Sequence, residues 1–294
     1  MGHRGIELKT RGGVYGQRGG LVRAVYLAGA LVVWCATLGG RRRTGGVVLC
    51  YHGVSDAQKE MLARHVRIAA KRAVRLSQVS ARPRGVCFTF DDAFANLLRN
   101  ALPVMAGHGV PSVVFAVSEN LGEAPKWEMR EGHPERDERI MTGGELREAE
   151  GFEGCRVQSH TATHARLGER SEAEATEELR RSRMELAGIV GHTVDAIAAP
   201  YGSWTPGVVE AAKGLGYQWF LTLDPLDGRE AGGVLVGRYL MTPETSPIEF
   251  RLTIDGAYEW VFAARRMARR MKRVMTGRGQ RTGGAGGAVA ESAA

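Results

Sequence analysis

The sequence predicts an α/β domain in which strands and helices alternate, as in a parallel sheet or barrel. Three observations carry that expectation. Short apolar runs rich in β-branched and aromatic residues recur along the chain, as at residues 46–51 and 85–90. Between them lie stretches with apolar residues at helical spacing. Helix borders are marked by Ser171-x-x-Glu174, by Pro206 and by Gly214-Leu215-Gly216.

The elements follow in order. Residues 46–51 read as a buried strand that ends at His52-Gly53-Val54. Residues 58–75 read as a helix, with Met61, His65, Ile68 and Ala69 on one side. Residues 85–90 read as the second strand. Side chains alternate along a strand, so Val86, Phe88 and Phe90 share one face and Cys87, Thr89 and Asp91 the other. Asp91 and Asp92 then serve one pocket only where the strand ends and the backbone turns. A helix is expected from Ala93 to Gly107, and a strand over 110–117 with Pro111 near its start. Helices over 144–150, 171–190 and 205–214 alternate with strands over 156–159, 194–198 and 219–223. The polar stretch 119–139, with Trp127, reads as a loop over one face of the domain.

Charge is unevenly placed. Residues 1–45 carry eight Lys/Arg against one Glu, and residues 257–294 carry eight against two. The 211 residues between them therefore sum to about −5 within a net charge of +8. The basic character belongs to the ends, so no nucleic-acid-binding core is indicated, while contact between the ends and an anionic lipid surface stays open. This divides the chain into a basic N-terminal segment with an apolar helix (1–45), a catalytic body (46–256) and a basic helix with a disordered tail (257–294). The uncharged run 24–40 has 17 residues and is followed by Arg41-Arg42-Arg43. It is short for a spanning helix, which needs about 20 residues. An interfacial helix, an anchor and a signal peptide are the three readings of this run. Residues 258–275 read as a basic helix that packs on the domain or lies on a membrane surface. Cys35, Cys50, Cys87 and Cys155 form no C-x-x-C pair and read as small buried fillers.

Chemistry concentrates in two places, Thr89-Phe90-Asp91-Asp92 and His160-Thr161-Ala162-Thr163-His164. A histidine pair four residues apart is by itself as compatible with a structural role as with a metal site. Beside an Asp-Asp at a strand end, it supplies three metal ligands and one spare carboxylate. One carboxylate with two imidazoles suits Zn²⁺ with an open position, and Mn, Co, Ni or Fe also fit.

With Pro200-Tyr201-Gly202 following in order, these motifs make residues 46–245 resemble the polysaccharide deacetylases, the NodB-homology family or carbohydrate esterase family 4. The early Tyr51-His52-Gly53-Val54 element resembles the branch that includes poly-N-acetylglucosamine deacetylases. The resemblance implies a deformed (β/α) barrel of about seven strands. It implies hydrolysis of acetyl groups, most often the N-acetyl of N-acetylglucosamine, on a polysaccharide or oligosaccharide of the cell envelope. It also implies that Asp92, His160 and His164 hold a divalent metal, most often Zn²⁺. Asp91 is then the general base toward water, and the Tyr201 backbone N–H helps to stabilise the oxyanion. Membrane association or an envelope location is expected, with secretion and the cytoplasm as alternatives.

Two departures from the family pattern stand out. Relatives often carry a late Leu-x-His whose imidazole is the general acid, whereas this chain has Val236-Gly237-Arg238-Tyr239-Leu240-Met241 there. The early element makes His52 the candidate acid, the plainer reading being a strand-end histidine bonded to backbone. Relatives also often place an Arg two residues before the Pro-Tyr-Gly element, where this chain has Ala198. Arg238 is the candidate substitute, and Leu223-Asp224-Pro225 matches the element that packs beside the base only loosely. Tyr201 and Trp204 either line a sugar site or pack the barrel. The departures keep two other functions open: a non-catalytic glycan-binding protein on the same fold, and a membrane-peripheral scaffold acting through its basic ends.

Overall fold

A computed structural model describes residues 20–39, 45–129, 131–228 and 234–275. The expected disordered tail lies outside the described residues. Seven parallel strands close into a barrel: β1 (Val47–Tyr51), β2 (Val86–Phe90), β3 (Ser112–Ala116), β4 (Cys155–Ser159), β5 (Ala196–Ala198), β6 (Trp219–Thr222) and β7 (Leu235–Leu240). Each strand pairs with the next, and β7 returns to β1, so that Leu49 is flanked by Phe88 and Tyr239. Parallel neighbours need crossover connections, and helices supply most of them. In chain order the helices are α1 (Gly20–Ala36), α2 (Lys59–Ala69), α3 (Leu97–Asn100), α4 (Leu102–Gly107), α5 (Gly143–Glu150), α6 (Glu172–Val190), α7 (Pro206–Gly214), α8 (Pro247–Ile254) and α9 (Glu259–Met275).

Alternation along the strands sorts two apolar layers. Val48, Cys87, Val113, Phe115, Ala198 and Leu221 form one buried cluster inside the barrel. Their neighbours point to the helices. Tyr51 stacks on Phe88 at 6.0 Å, and Phe88 faces Phe250 of α8 at 6.4 Å. β1, β2 and β3 are buried along their whole length, which is why their sequences read as apolar runs.

Helix ends obey local chemistry. Ser171 caps α6 by accepting from the Glu174 N–H, and Gly191 ends it in the left-handed region at φ 75°. Thr205 caps α7, whose first residue is Pro206. The helix expected from Ala93 instead begins at Leu97. Asp92 and Ala93 have φ of 68° and 53°, a left-handed turn that no helix can contain. The helix expected over 58–75 ends at Ala69 and continues as a short 3-10 turn to Arg72. β7 and α8 add to the elements read from sequence.

The chain divides into two compact units, Met1–Glu259 and Trp260–Ala294. Within the first, α1 packs against α8. Arg23 Nε donates to Glu249 at 2.7 Å, and Trp34 Nε1 donates to the buried Asp255 at 2.9 Å. Asp255 also accepts from Arg72 at 2.6 Å and Arg84 at 3.3 Å, so one carboxylate ties α1, the 3-10 turn after α2 and the approach to β2. Leu21, Val25 and Val32 of α1 remain exposed. No described helix is long and apolar enough to cross a membrane. In the second unit, α9 alternates Met267 and Met271 with Arg265, Arg266 and Arg270 at helical spacing. Cys50, Cys87 and Cys155 are buried, but Cys35 on α1 is exposed and is therefore no core filler.

Candidate active site

All the candidate residues lie just past the C-terminal ends of strands, where a (β/α) barrel gathers its functional groups. Asp91 and Asp92 follow β2, His52 follows β1, His160 and His164 follow β4, and Tyr201 follows β5. The Asp91 N–H still bonds to Tyr51 O at 2.8 Å, which extends the ladder by one residue. The chain then turns left-handed at Asp92, and both carboxylates reach one buried space. The His160–His164 segment is a loop and not a helix. Positive φ at Thr161 (67°) and His164 (61°) folds the two rings back to 5.0 Å, edge to face. Glu178 of α6 braces this loop by accepting from the N–H groups of Ala162 and Thr163.

The three candidate metal ligands converge. His160 Nε2 stands 3.4 Å and His164 Nε2 3.3 Å from Asp92 Oδ1. Such separations match the edge of a tetrahedron whose metal–ligand bonds are about 2.0–2.1 Å long. Asp92 Oδ1 is buried and has no hydrogen-bond partner among the described residues. An orphaned buried carboxylate oxygen is costly. His160 Nδ1 lies 2.8 Å from the Ala198 carbonyl, to which it can only donate, so its Nε2 keeps a free lone pair. Burial holds the His160 pKa down at about 4 against the pull of Asp91 and Asp92, keeping the ring neutral at pH 7. An orphaned anionic oxygen faced by two imidazole nitrogens fits a divalent cation.

Asp91 has a different environment. Arg238, fully buried on β7, grips it with Nη1 to Oδ1 at 2.6 Å and Nη2 to Oδ2 at 2.8 Å. Arg238 also donates to Thr89 Oγ1 at 3.0 Å and to the Thr222 carbonyl at 3.3 Å. Thus β7 supplies the guanidinium that Ala198 lacks. Cys50 Sγ donates to Asp91 Oδ2 at 3.2 Å, so this thiol touches the acidic group and is more than a filler. Burial alone would raise the Asp91 pKa. The Arg238 guanidinium outweighs it, with His160 adding to the effect, and holds the carboxyl well below the usual range. Asp224 caps its own turn by accepting from the Leu226 N–H.

His52, Asp91 and Cys50 each place a polar atom within 4.8 Å of the other two. Burial disfavours the His52 imidazolium. The carboxylates of Asp92, Glu135 and Asp91 outweigh both that and Arg238, raising His52 above its usual value. Tyr201 has φ 58° and sits in the short 3-10 turn Pro200–Gly202. Gly202 follows at φ 62°, where a Cβ would meet Leu223 N at 3.0 Å. The Tyr201 ring stands edge-on to His164 at 4.8 Å under the Arg166 guanidinium at 3.7 Å. Trp204 is half-buried, with its backbone close against Gly168.

Two residues of the 119–139 loop enter the site without having been singled out as site residues. Trp127 stacks on His164 with ring centres 4.1 Å apart. Glu135 lies against Gly53, where an added Cβ would meet its Oε1 at 2.9 Å. The charged and aromatic content of the loop was the one available signal. Nothing in a sequence states where a long loop will fold back.

A closed parallel barrel with an Asp-His-His cluster at its C-terminal mouth defines a class, the barrel hydrolases of NodB type. The comparisons agree. The family model described as polysaccharide deacetylase matches residues 78–220. YxkH of Bacillus subtilis, assigned to the polysaccharide deacetylases, is 22% identical over 71% of this chain and 75% of its own length. A peptidoglycan-N-acetylglucosamine deacetylase of Bacillus cereus is 25% identical over 61% of this chain and 63% of its own. IcaB from Ammonifex degensii shares the fold, with a TM-score of 0.58 and 23% identity over 74% of this chain and 98% of that one. The chain carries a polysaccharide deacetylase domain, an enzyme domain of carbohydrate esterase family 4 that acts on acetyl groups of polysaccharides.

Proposed function

We propose that this enzyme is a metal-dependent hydrolase that removes the N-acetyl group of N-acetylglucosamine units from a cell-envelope glycan or exopolysaccharide. The observation that carries this reading is the separation of two carboxylates by environment. Asp92 has an orphaned oxygen aimed at two imidazoles, while Asp91 is locked by Arg238. Asp92, His160 and His164 would hold the cation, with Zn²⁺ the natural choice for one carboxylate and two imidazoles. A bound divalent cation supplies Lewis acidity, lowering the pKa of a water and offsetting negative charge on an acyl oxygen.

The chain's own groups do the rest. Asp91 stays ionised at pH 7 and takes a proton from the attacking water. Arg238 fixes the direction in which its oxygens point. Amide hydrolysis also requires a proton on the departing nitrogen, because an amide anion is a very poor leaving group. His52, whose imidazolium the surrounding carboxylates favour, donates that proton as the C–N bond breaks, and acetate and a free amine result. The Tyr201 N–H would serve as the backbone donor to the oxyanion. Trp127 and Tyr201 flank His164 and offer aromatic faces to a pyranose ring. The exposed apolar residues of α1 and the basic face of α9 support a location at the envelope membrane surface.

The test is metal analysis beside acetate release from N-acetylglucosamine oligomers. The native protein should carry one divalent ion, Asp91→Asn should keep the ion and lose at least 100-fold in turnover, and His164→Ala should lose both. Full activity in Asp91→Asn would overturn the assignment of the base.

A further inference from the structure

As the proposed proton donor, His52 must be held at the leaving group. His52 sits one residue beyond the last residue of β1, on a turn that would be free to swing unless something tied it. Three side chains tie it. Val54 N–H donates to Asn96 Oδ1 at 3.0 Å, and Asn100 Nδ2 donates to the Val54 carbonyl at 2.9 Å. The third is Glu135, whose carboxylate takes the Gly53 N–H. Its Oε1 lies so close that a Cβ on Gly53 would meet it at 2.9 Å. A side chain at residue 53 would therefore have to push this carboxylate aside and crowd Asn96 Nδ2 at 3.2 Å. The two asparagines satisfy the backbone and carry no charge. Glu135 adds a charge beside the imidazole, from a loop more than eighty residues downstream.

From this juxtaposition we propose that Glu135 is the positioning residue of the acid: it pins the His52–Gly53 turn and serves as counter-charge to the His52 imidazolium. The inference rests on the reading of His52 as the proton donor. The groups facing His52 are Asp91, Asp92, Glu135, Arg238 and the Cys50 thiol. Those facing Glu135 are His52, Asp92, Glu244 and His133. Asp91 is tied to Arg238, and Asp92 belongs to the metal set. Glu135 is the carboxylate with no other catalytic duty. Burial pushes its pKa up to about 7 while His52 pulls it down, so the two groups answer to each other's charge.

The experiment compares an acetamide substrate, an N-acetylglucosamine oligomer, with an activated aryl acetate, whose phenolate leaves without a proton. Glu135→Gln keeps an oxygen to accept the Gly53 N–H and removes the charge. It should slow the amide at least tenfold more than the ester in kcat, and Glu135→Asp should recover part of the loss. In a His52→Ala background the same substitution should have no further effect on the amide. Gly53→Ala, which displaces the carboxylate, should copy Glu135→Gln in the amide-to-ester ratio. Equal slowing of both substrates by Glu135→Gln, no slowing of either, or an undiminished effect in the His52→Ala background would overturn the proposal. If His52→Ala itself slows amide and ester equally, the assignment of the acid fails first, and that result is read from the single variant alone.

Discussion

Arg238 enters the barrel with no exposed surface, and among the described residues its only charge partner at hydrogen-bond distance is Asp91. Neither charge is cheap to bury, and removing one strands the other. Arg238→Met should therefore cost about 3–5 kcal/mol in stability, measured by urea unfolding. It should also raise the Asp91 pKa, because burial would then act without the guanidinium that opposes it. Adding Asp91→Asn to the Arg238→Met variant should restore much of the stability, since a neutral amide needs no counter-charge. At this scale the sequence was partly legible. Asp91, Asp92, His160 and His164 announce themselves by type and spacing. Arg238 was visible only as a candidate, because no rule of spacing links residue 238 to residue 91; closure of the barrel does. Glu135 and Trp127 lay in a loop whose path no local pattern encodes.

His65 shows what an element contributes. It stands on the buried face of α2, with Nδ1 accepting from the Tyr51 hydroxyl at 2.9 Å and Nε2 donating to the Thr245 carbonyl at 2.7 Å. Its ring stacks on Phe250 at 4.2 Å. One neutral imidazole thus joins α2, β1 and the start of α8. Burial lowers its pKa to about 4. The unfolded chain takes up the proton near pH 6.5 and the folded chain only near pH 4, so stability falls as pH drops through that window. The His65 share should be about 2 kcal/mol between pH 7 and pH 5. Unfolding free energies at the two pH values should differ less in His65→Gln than in the native protein. The elements themselves were readable where propensity, periodicity and caps agreed, as in α6 and α7. They were misread at Ala93, where a functional turn overrides helix propensity. β7 escaped notice because Gly237 and Arg238 interrupt its apolar pattern.

Across the whole molecule, charge and apolar surface are partitioned. The barrel carries the proposed acid–base groups, while α1 exposes apolar residues and α9 is rich in arginine. Replacing Arg265, Arg266 and Arg270 by Glu should abolish sedimentation with anionic vesicles at low salt, while hydrolysis of soluble oligomers continues at the native rate. Retention on vesicles by the charge-reversed protein would show that α9 is not the contact. Implied by the family resemblance, the barrel was legible from the apolar runs only as six of its seven strands. Its closure was not, since the pairing of β1 with β7 joins residues nearly two hundred positions apart.

That final pairing has a temporal side. Asp91, the proposed base, is made early in synthesis, and the guanidinium that steadies it arrives only with the last strand. A chain that ends between residues 164 and 238 holds every metal-ligand candidate yet lacks the clamp. Such chains should release no acetate from N-acetylglucosamine oligomers, and activity in a fragment ending before Arg238 would show that the last seam is not needed.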